Sequence, residues 1–334
     1  MKILALVKGP HYPSARYRVL QFERPLAERG VVLILREFPK GGSGWRDLRT
    51  ALSGQDLVWI QKKRLPGGRL AALRDRGARL VYDVDDAVML SSSGRPSWTR
   101  HGQFARMCGG VDAVTAGNDY LAGLAALWNP NVAVVPTVVD PAKYAVRGPA
   151  VPGAPVVLGW IGGNNAMPFL DALRPVFDAL GRRGLPVRLK VVGGRPFAPA
   201  GIPVDNVAWS EAGEAAEVAS FDVGLAPMPV TPWTLGKCGT KLLQCMASGV
   251  PVAASLHPTH TEIVTDGWNG ELAKAAADWE EKLARLALDP EGRAELGRAA
   301  RATVEARFSI AAAVPRLCAA FERVLAGERR PGPF

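Results

Sequence analysis

The feature that most constrains this chain is a rhythm. Short, continuous runs of aliphatic residues end in turn residues, amphipathic stretches follow, and the cycle repeats. Ile3–Val7 runs into Gly9-Pro10, and Arg16–Glu28 then carries Val19, Leu20, Phe22 and Leu26 at roughly helical spacing. Val31–Leu35, Leu57–Ile60, Leu80–Tyr82, Ala113–Val114 and Val132–Val135 continue the series. Runs this uniformly apolar, with no polar alternation, predict strands buried on both faces. Helices between them make the sheet parallel.

A Pro/Gly-rich stretch at 146–155 interrupts the series and reads as a linker. The rhythm then restarts. Val156–Trp160, Val187–Val192, Val207–Trp209, Phe221–Leu225 and Val250–Ala253 are predicted strands, and Phe169, Leu173, Val176 and Leu180 mark a helix after the first of them. From Asp289-Pro290 the chain reads as helix until Gly327. At 334 residues, two domains of about 150 residues each are expected. The predicted fold class is α/β, with two tandem Rossmann-like, doubly wound domains facing across a cleft. The expected division is a first Rossmann-like domain at 1–148, a second at 149–310 and a final helix at 311–334 that returns to the first domain.

Charge separates the two halves. Residues 1–150 hold 22 Lys/Arg and 12 Asp/Glu, whereas 151–334 hold 19 of each, so the whole net charge of +10 lies in the first half. An anionic partner for that half is the expectation, whether a phosphorylated substrate, a membrane surface or nucleic acid. No nucleic-acid-binding motif accompanies the charge, so no nucleic-acid partner is expected. The hydrophobic content of 48% excludes a disordered chain. Cys108, Cys238, Cys245 and Cys318 are too scattered for a zinc site or a disulfide framework. The first residues read as a strand rather than a signal peptide, and no run is long enough to span a bilayer. The expected location is therefore cytoplasmic, with attachment to the inner face of a membrane compatible with the basic half.

In doubly wound domains, ligands sit beyond the carboxyl ends of strands, so the loops there are the places to look. The loop from Gly9 to Arg18 offers Gly9, His11, Arg16 and Arg18, the arginines suited to phosphate or carboxylate. It lacks the GxGxxG spacing of dinucleotide sites. Asp83-Val84-Asp85-Asp86 sets three carboxylates close together, which demands compensation. A divalent-metal site on Asp83 and Asp85, a patch for sugar hydroxyls, a loop fastened to Arg16 and Arg18, and a plain helix cap are all open readings. Gly162-Gly163-Asn164 opens the second series with glycines that let a phosphate approach the backbone. Gly236-Lys237-Cys238-Gly239-Thr240-Lys241 leads into a helix, and the four-residue spacing of Lys237 and Lys241 places both on one face near its start. Cations there oppose the helix dipole unless an anion such as a diphosphate compensates them. His11, His101, His257 and His260 are further candidates for cleft contacts.

The segment from Gly236 to Ser255, followed by Glu262-Ile263-Val264 and Gly267-Trp268-Asn269-Gly270, resembles the group-1 (GT4-type) glycosyltransferases, which have the GT-B fold. Val135–Asp140, Gly159–Gly162 and Arg16-Tyr17-Arg18 extend the resemblance over nearly the whole chain. It implies a retaining transfer of sugar from a nucleotide-sugar donor to a glycan, lipid-linked or polymer acceptor, with no metal and no other cofactor. On that reading, donor contacts are expected from Gly162, Gly163, Asn164, Arg195, Trp209, Ser210, Gly236, Lys237, Cys238, Gly239, Thr240, Lys241 and Gln244. Acceptor contacts are expected from Gly9, His11, Arg16, Arg18, Asp83 and Asp86, and catalytic roles from Lys237, Lys241 and Asp85. The chain departs from the family where two glutamates usually stand seven residues apart, because Gly236 and Gln244 occupy those positions. The Arg/Lys pair that usually follows the first strand of the second domain is also missing. Two other expectations stand beside this one: these gaps allow a catalytically inactive glycan-binding homologue, and the carboxylate cluster allows a metal-dependent transferase using Asp83 and Asp85.

Overall fold

The computed structural model describes residues 1–74, 77–91, 93–149, 151–198 and 201–328. It divides the chain into two compact units. The first comprises Met1–Val138, Thr231–Cys238 and the chain from Ile310 onward, and the second comprises Val139–Val230 and Gly239–Ser309. The chain enters the second unit at Val139, ahead of the Pro/Gly stretch. It returns to the first unit for eight residues in the middle of the segment that the sequence reads as one motif.

In the first unit, six parallel strands form one sheet: β1 (Lys2–Val7), β2 (Val32–Glu37), β3 (Leu57–Gln61), β4 (Arg79–Val84), β5 (Ala113–Ala116) and β6 (Val132–Val134). Their order is β2-β1-β3-β4-β5-β6. The order reverses direction between β1 and β3, which makes the loops after these two strands the switch point. Every residue of β3 and β5, and five of six in β1 and β4, are buried. Helices cover both faces, as the continuous apolar runs require. The helix Ile310–Leu325 packs on this sheet, with Phe321 edge-on to Trp59 at 5.3 Å.

In the second unit, β7 (Val156–Ile161), β8 (Val187–Val192), β9 (Val204–Val207), β10 (Val223–Ala226), β11 (Val252–Ser255) and β12 (Glu271–Ala273) form a second parallel sheet. Its order is β12-β11-β10-β7-β8-β9, the doubly wound order with its switch point between β7 and β10. A glycine inside β7 has a packing reason. A Cβ on Gly159 would lie 1.9 Å from the Phe221 ring.

Three sequence expectations are corrected. The strand predicted at Val207–Trp209 lies earlier, at Val204–Val207, because its polar residues Asp205 and Asn206 hid the pattern. β12 is only three residues long and escaped notice. The helix expected from Asp289 onward is two helices, Pro290–Arg307 and Ile310–Leu325, broken at Phe308 and Ser309. Among the described residues, no helix is long and apolar enough to cross a membrane.

Candidate functional site

Each unit gathers its candidate residues at the carboxyl ends of its strands. In the first unit the three aspartates are divided among three cations. β4 extends two residues beyond the predicted Tyr82, so Asp83 is a strand residue and fully buried. Arg18 donates to it through Nε at 3.0 Å and Nη2 at 2.5 Å, and through Nη1 to the Val135 carbonyl at 2.6 Å. Thr115, its register partner on β5, donates Oγ1 to Asp83 at 2.7 Å. Arg18 is itself only 2% exposed. This corrects the expectation that Arg18 and Asp83 contact an acceptor. Both are enclosed and spent on one another, which is the fastened-loop reading of the motif.

Asp85 and Asp86 lie beyond the strand end. Lys62 reaches both, 3.4 Å from Asp85 Oδ1 and 3.0 Å from Asp86 Oδ2, and Lys237 binds Asp86 Oδ1 at 2.9 Å. Burial raises the Asp86 pKa, but Lys62 and Lys237 outweigh it and hold the carboxyl below its usual range. Asp85 goes the other way. Burial dominates, Lys62 only partly offsets it, and the neighbouring Asp83 adds to the upward shift. Two adjacent carboxylates with opposed shifts suit different proton-transfer tasks. Three negative groups facing Arg18, Lys62 and Lys237 leave no open carboxylate set for a divalent cation. Among the described residues, no cluster of three or more His, Cys, Asp or Glu could hold a metal.

Lys62 was not singled out in the sequence. It follows β3 at the switch point and has φ of +60°, the only non-glycine residue in the left-handed region among those described. Such strain persists where surroundings over-determine it. Here the Lys62 N–H donates to the Asp83 carbonyl at 2.8 Å and the Tyr82 hydroxyl donates to the Lys62 carbonyl at 3.0 Å. The signal available in the sequence was a lysine directly after a buried strand that ends at a switch point.

Lys237 and Lys241 are not on one helix, which corrects the spacing argument. Gly239 adopts φ +64° and separates the short helix Pro232–Leu235 from the helix Thr240–Ala247. Gly236, Lys237 and Cys238 belong with the first unit. There Asn118 Nδ2 donates to the Leu235 and Lys237 carbonyls, both at 2.9 Å, and Cys238 Sγ donates to the Asp85 carbonyl at 3.4 Å. A Cβ on Gly236 would meet the Ala87 N at 2.6 Å, so no larger side chain fits at this position as the backbone stands. Of the other candidates in this unit, Gly9 is buried at the end of β1, Arg16 is half-buried and His11 is exposed.

The second unit brings together Gly162, Lys241 and Trp160. Lys241 Nζ lies 4.5 Å from the Trp160 ring centre. A Cβ on Gly162 would stand 2.2 Å from that nitrogen and 2.6 Å from the indole. Thr240 and Lys241 are the first two residues of their helix, at its positive end. Gly163 and Asn164 are exposed and directly follow Gly162, after the switch-point strand β7. Gln244 is buried one turn into the helix. Across β8, a Cβ on Gly193 would meet the Gly162 carbonyl at 2.7 Å and Trp209 Cβ at 3.1 Å, so Trp209 sits against the same glycine loops. The Trp209 indole N–H donates to Glu214 at 2.9 Å, and Ser210 Oγ accepts from the Gly213 N–H at 3.1 Å. Arg195 is half-exposed and pairs with Asp171 at 2.6 Å.

His257 and His260 follow β11 and are both buried. His260 Nδ1–H donates to the Ser255 carbonyl at 2.9 Å. Burial drives the His260 pKa down to about 4, with His257 adding to the fall and the Ser255 contact opposing it. The folded pKa is depressed, so the stabilisation from His260 is complete above the unfolded value near 6.5. It is lost as pH falls toward 4, by up to about 3 kcal/mol. The expected result is a Tm that drops more steeply between pH 6.5 and 4.5 in the native protein than in a His260→Asn variant. Parallel curves would remove His260 from the titration.

Comparison with known proteins follows the same outline. A family described as "Glycosyl transferase-like" matches residues 173–319, less than half of the chain. No curated protein sequence is significantly similar. Among solved structures, the chain is similar to HepE from Anabaena, crystallised with UDP and glucose, at 16% identity and a TM-score of 0.69, covering 96% of this chain and 99% of that one. It is similar to sucrose-phosphate synthase from Thermosynechococcus elongatus at 14% identity and a TM-score of 0.73, covering 98% and 100%. The pneumococcal O-GlcNAc transferase GtfA, crystallised with UDP and GlcNAc, matches at 15% identity and a TM-score of 0.60, covering 84% of this chain and 59% of that one. Two tandem Rossmann-like units with these strand orders, matched over nearly the full length of two such structures, give this chain the GT-B fold.

Proposed function

We propose that the protein is a retaining glycosyltransferase that moves a sugar from a nucleotide-sugar donor to a glycan or lipid-linked acceptor. The observation that carries this reading is the grouping of Lys241, at the start of the helix Thr240–Ala247, with Trp160 and the side-chain-free Gly162. A cation at a helix start, where the helix dipole is positive, suits a diphosphate, whose negative charge grows as the sugar departs. Gln244 would hold the ribose hydroxyls, and Trp209 and Ser210 would lie beside the base. Gly163, Asn164 and Arg195 would complete the donor contacts. The likeness to structures crystallised with UDP makes a uridine nucleotide the first donor to test.

In the first unit, the acceptor would meet Asp85, Asp86 and Lys237, with Gly9, His11 and Arg16 near the rim. Asp85, with its pKa raised by burial, is the group proposed to take the acceptor hydroxyl proton. Asp86 and Lys62 would orient it. The basic charge of this half favours an anionic acceptor at an inner membrane surface in the cytoplasm, with attraction that weakens as salt rises.

Thermal unfolding against UDP, GDP, ADP and CMP and their common sugars, with and without EDTA, tests the donor site. A ligand at 100 times its Kd adds about 2.7 kcal/mol of stability. The expected outcome is stabilisation by one nucleotide family, unchanged by EDTA. An effect that EDTA removes would favour a metal-dependent site instead. Binding of glycans with no nucleotide effect would favour an inactive glycan-binding protein.

A further inference from the structure

The second unit has a cavity that the sugar-transfer reading does not use. It has a volume of about 360 Å³ and lies between the chain at Val146–Pro149 and the helix Pro290–Arg307. Asp222 and Pro251 line it, and they immediately precede β10 and β11. It therefore opens at the amino ends of the strands, whereas Gly162 follows the carboxyl end of β7. Glycines bring its walls together: a Cβ on Gly297 would lie 2.1 Å from the Gly249 carbonyl oxygen.

Four arginines line this cavity, Arg147, Arg293, Arg298 and Arg301, against two carboxylates, Asp222 and Glu305. Arg293, Gly297 and Arg301 recur at four-residue steps, so one helix face supplies most of the charge. The existing bonds do not exhaust these groups. Arg147 pairs with Asp222, whose other oxygen accepts from the Val157 N–H at 2.8 Å. Arg293 is 7% exposed and uses Nη1 on the Leu286 and Ala287 carbonyls. Arg301 uses Nε on Glu305 and Nη1 on the Tyr144 and Ala247 carbonyls. Each guanidinium has five N–H donors, so Nε and Nη2 of Arg293 and Nη2 of Arg301 remain. Arg298 is exposed and has no ion-pair partner among the described residues. Burial and the charge of Arg147 both press against the charged form of Arg293, and an anion would relieve both.

We infer that this cavity is a second anion site, for the dianion of a small phosphomonoester. An excess of two positive charges matches the dianion. Guanidinium forks match phosphate oxygens better than ammonium groups do. The volume falls at the small end of ligand pockets, enough for phosphate and a short organic body. The site is separate from Lys241: the eight-residue helix Thr240–Ala247 spans about 12 Å between them, and Arg301 meets its far end at Ala247. The assignment does not depend on the sugar-transfer reading.

Calorimetric titration of the full chain with glycerol 3-phosphate tests it, alongside flotation with vesicles containing phosphatidic acid. Arg298 lies on the surface, so Arg298→Glu should fold normally. Binding of either probe that weakens at least about tenfold in Arg298→Glu and persists in Lys241→Ala supports the site. Response to the free phosphomonoester identifies a soluble ligand, and response to vesicles alone identifies a lipid headgroup as its source. No binding of either probe overturns the proposal, as does binding that Lys241→Ala abolishes and Arg298→Glu leaves intact.

Discussion

Replacing Lys241 by alanine is expected to lower sugar transfer by roughly 10²- to 10³-fold, the loss usual for removing one preorganised stabiliser of developing charge. The Tm should move by only a few degrees. Lys241 is the second residue of its helix, where a cation opposes the dipole, so removing it does not weaken the helix. The cation–π contact with Trp160 is worth only about 0.5–1 kcal/mol at a partly exposed site. On the proposed reading, an arriving diphosphate would meet this cation at the helix start beside Gly162. Lys241→Arg should keep part of the activity, because the charge stays while the position shifts. The check is steady-state turnover with the nucleotide-sugar found in the thermal screen, together with the nucleotide-induced Tm shift of each variant. Equal losses of stability and activity would make Lys241 a structural residue. An unchanged turnover would move the diphosphate elsewhere.

Much of this was legible in the sequence, for a physical reason. Strands buried on both faces are written as unbroken apolar runs, so β1, β3, β7 and β8 were readable nearly to the residue. Those runs place Gly162 and Asp85 at strand ends. What failed was local backbone geometry. Nothing in the string Gly236–Lys241 says that Gly239 turns left-handed, so the two lysines read as helical neighbours. The structure instead gives Lys237 to Asp86 and Lys241 to Trp160. The β4 boundary failed similarly. An aspartate is a poor strand former, so Asp83 read as a loop residue. Its place in the strand depends on Arg18, 65 positions earlier in the chain, and such long-range pairing leaves no periodic trace. Lys62 was missed because its backbone strain, rather than its residue type, marks it.

The pairing of Arg18 with Asp83 leads to the largest expected loss of stability. Both side chains are enclosed, and either one alone would be a buried, uncompensated charge. Breaking such a pair from one side costs about 3–5 kcal/mol, whereas replacing both partners with apolar residues of similar size is often close to neutral. Arg18→Met should therefore be severely destabilising, Asp83→Leu likewise, and the double variant should recover most of the loss. Thr115 softens the first change by still donating to Asp83. The second leaves Arg18 only the Val135 carbonyl and the charge of Asp85, with no carboxylate hydrogen bond, so Asp83→Leu should be the worse of the two. The damage should also be local. Hydrogen exchange should rise at β4 and β5, which carry Asp83 and Thr115, and stay unchanged at β7 and β8 in the other unit. Because Asp85 and Asp86 directly follow the braced strand, each single variant should also lose sugar transfer while keeping the nucleotide-induced Tm shift of the second unit. If the double variant is as unstable as the worse single one, Asp83 and Arg18 are held by their packing rather than by their charges. If the nucleotide shift is lost with them, the division of donor and acceptor between the two units is wrong.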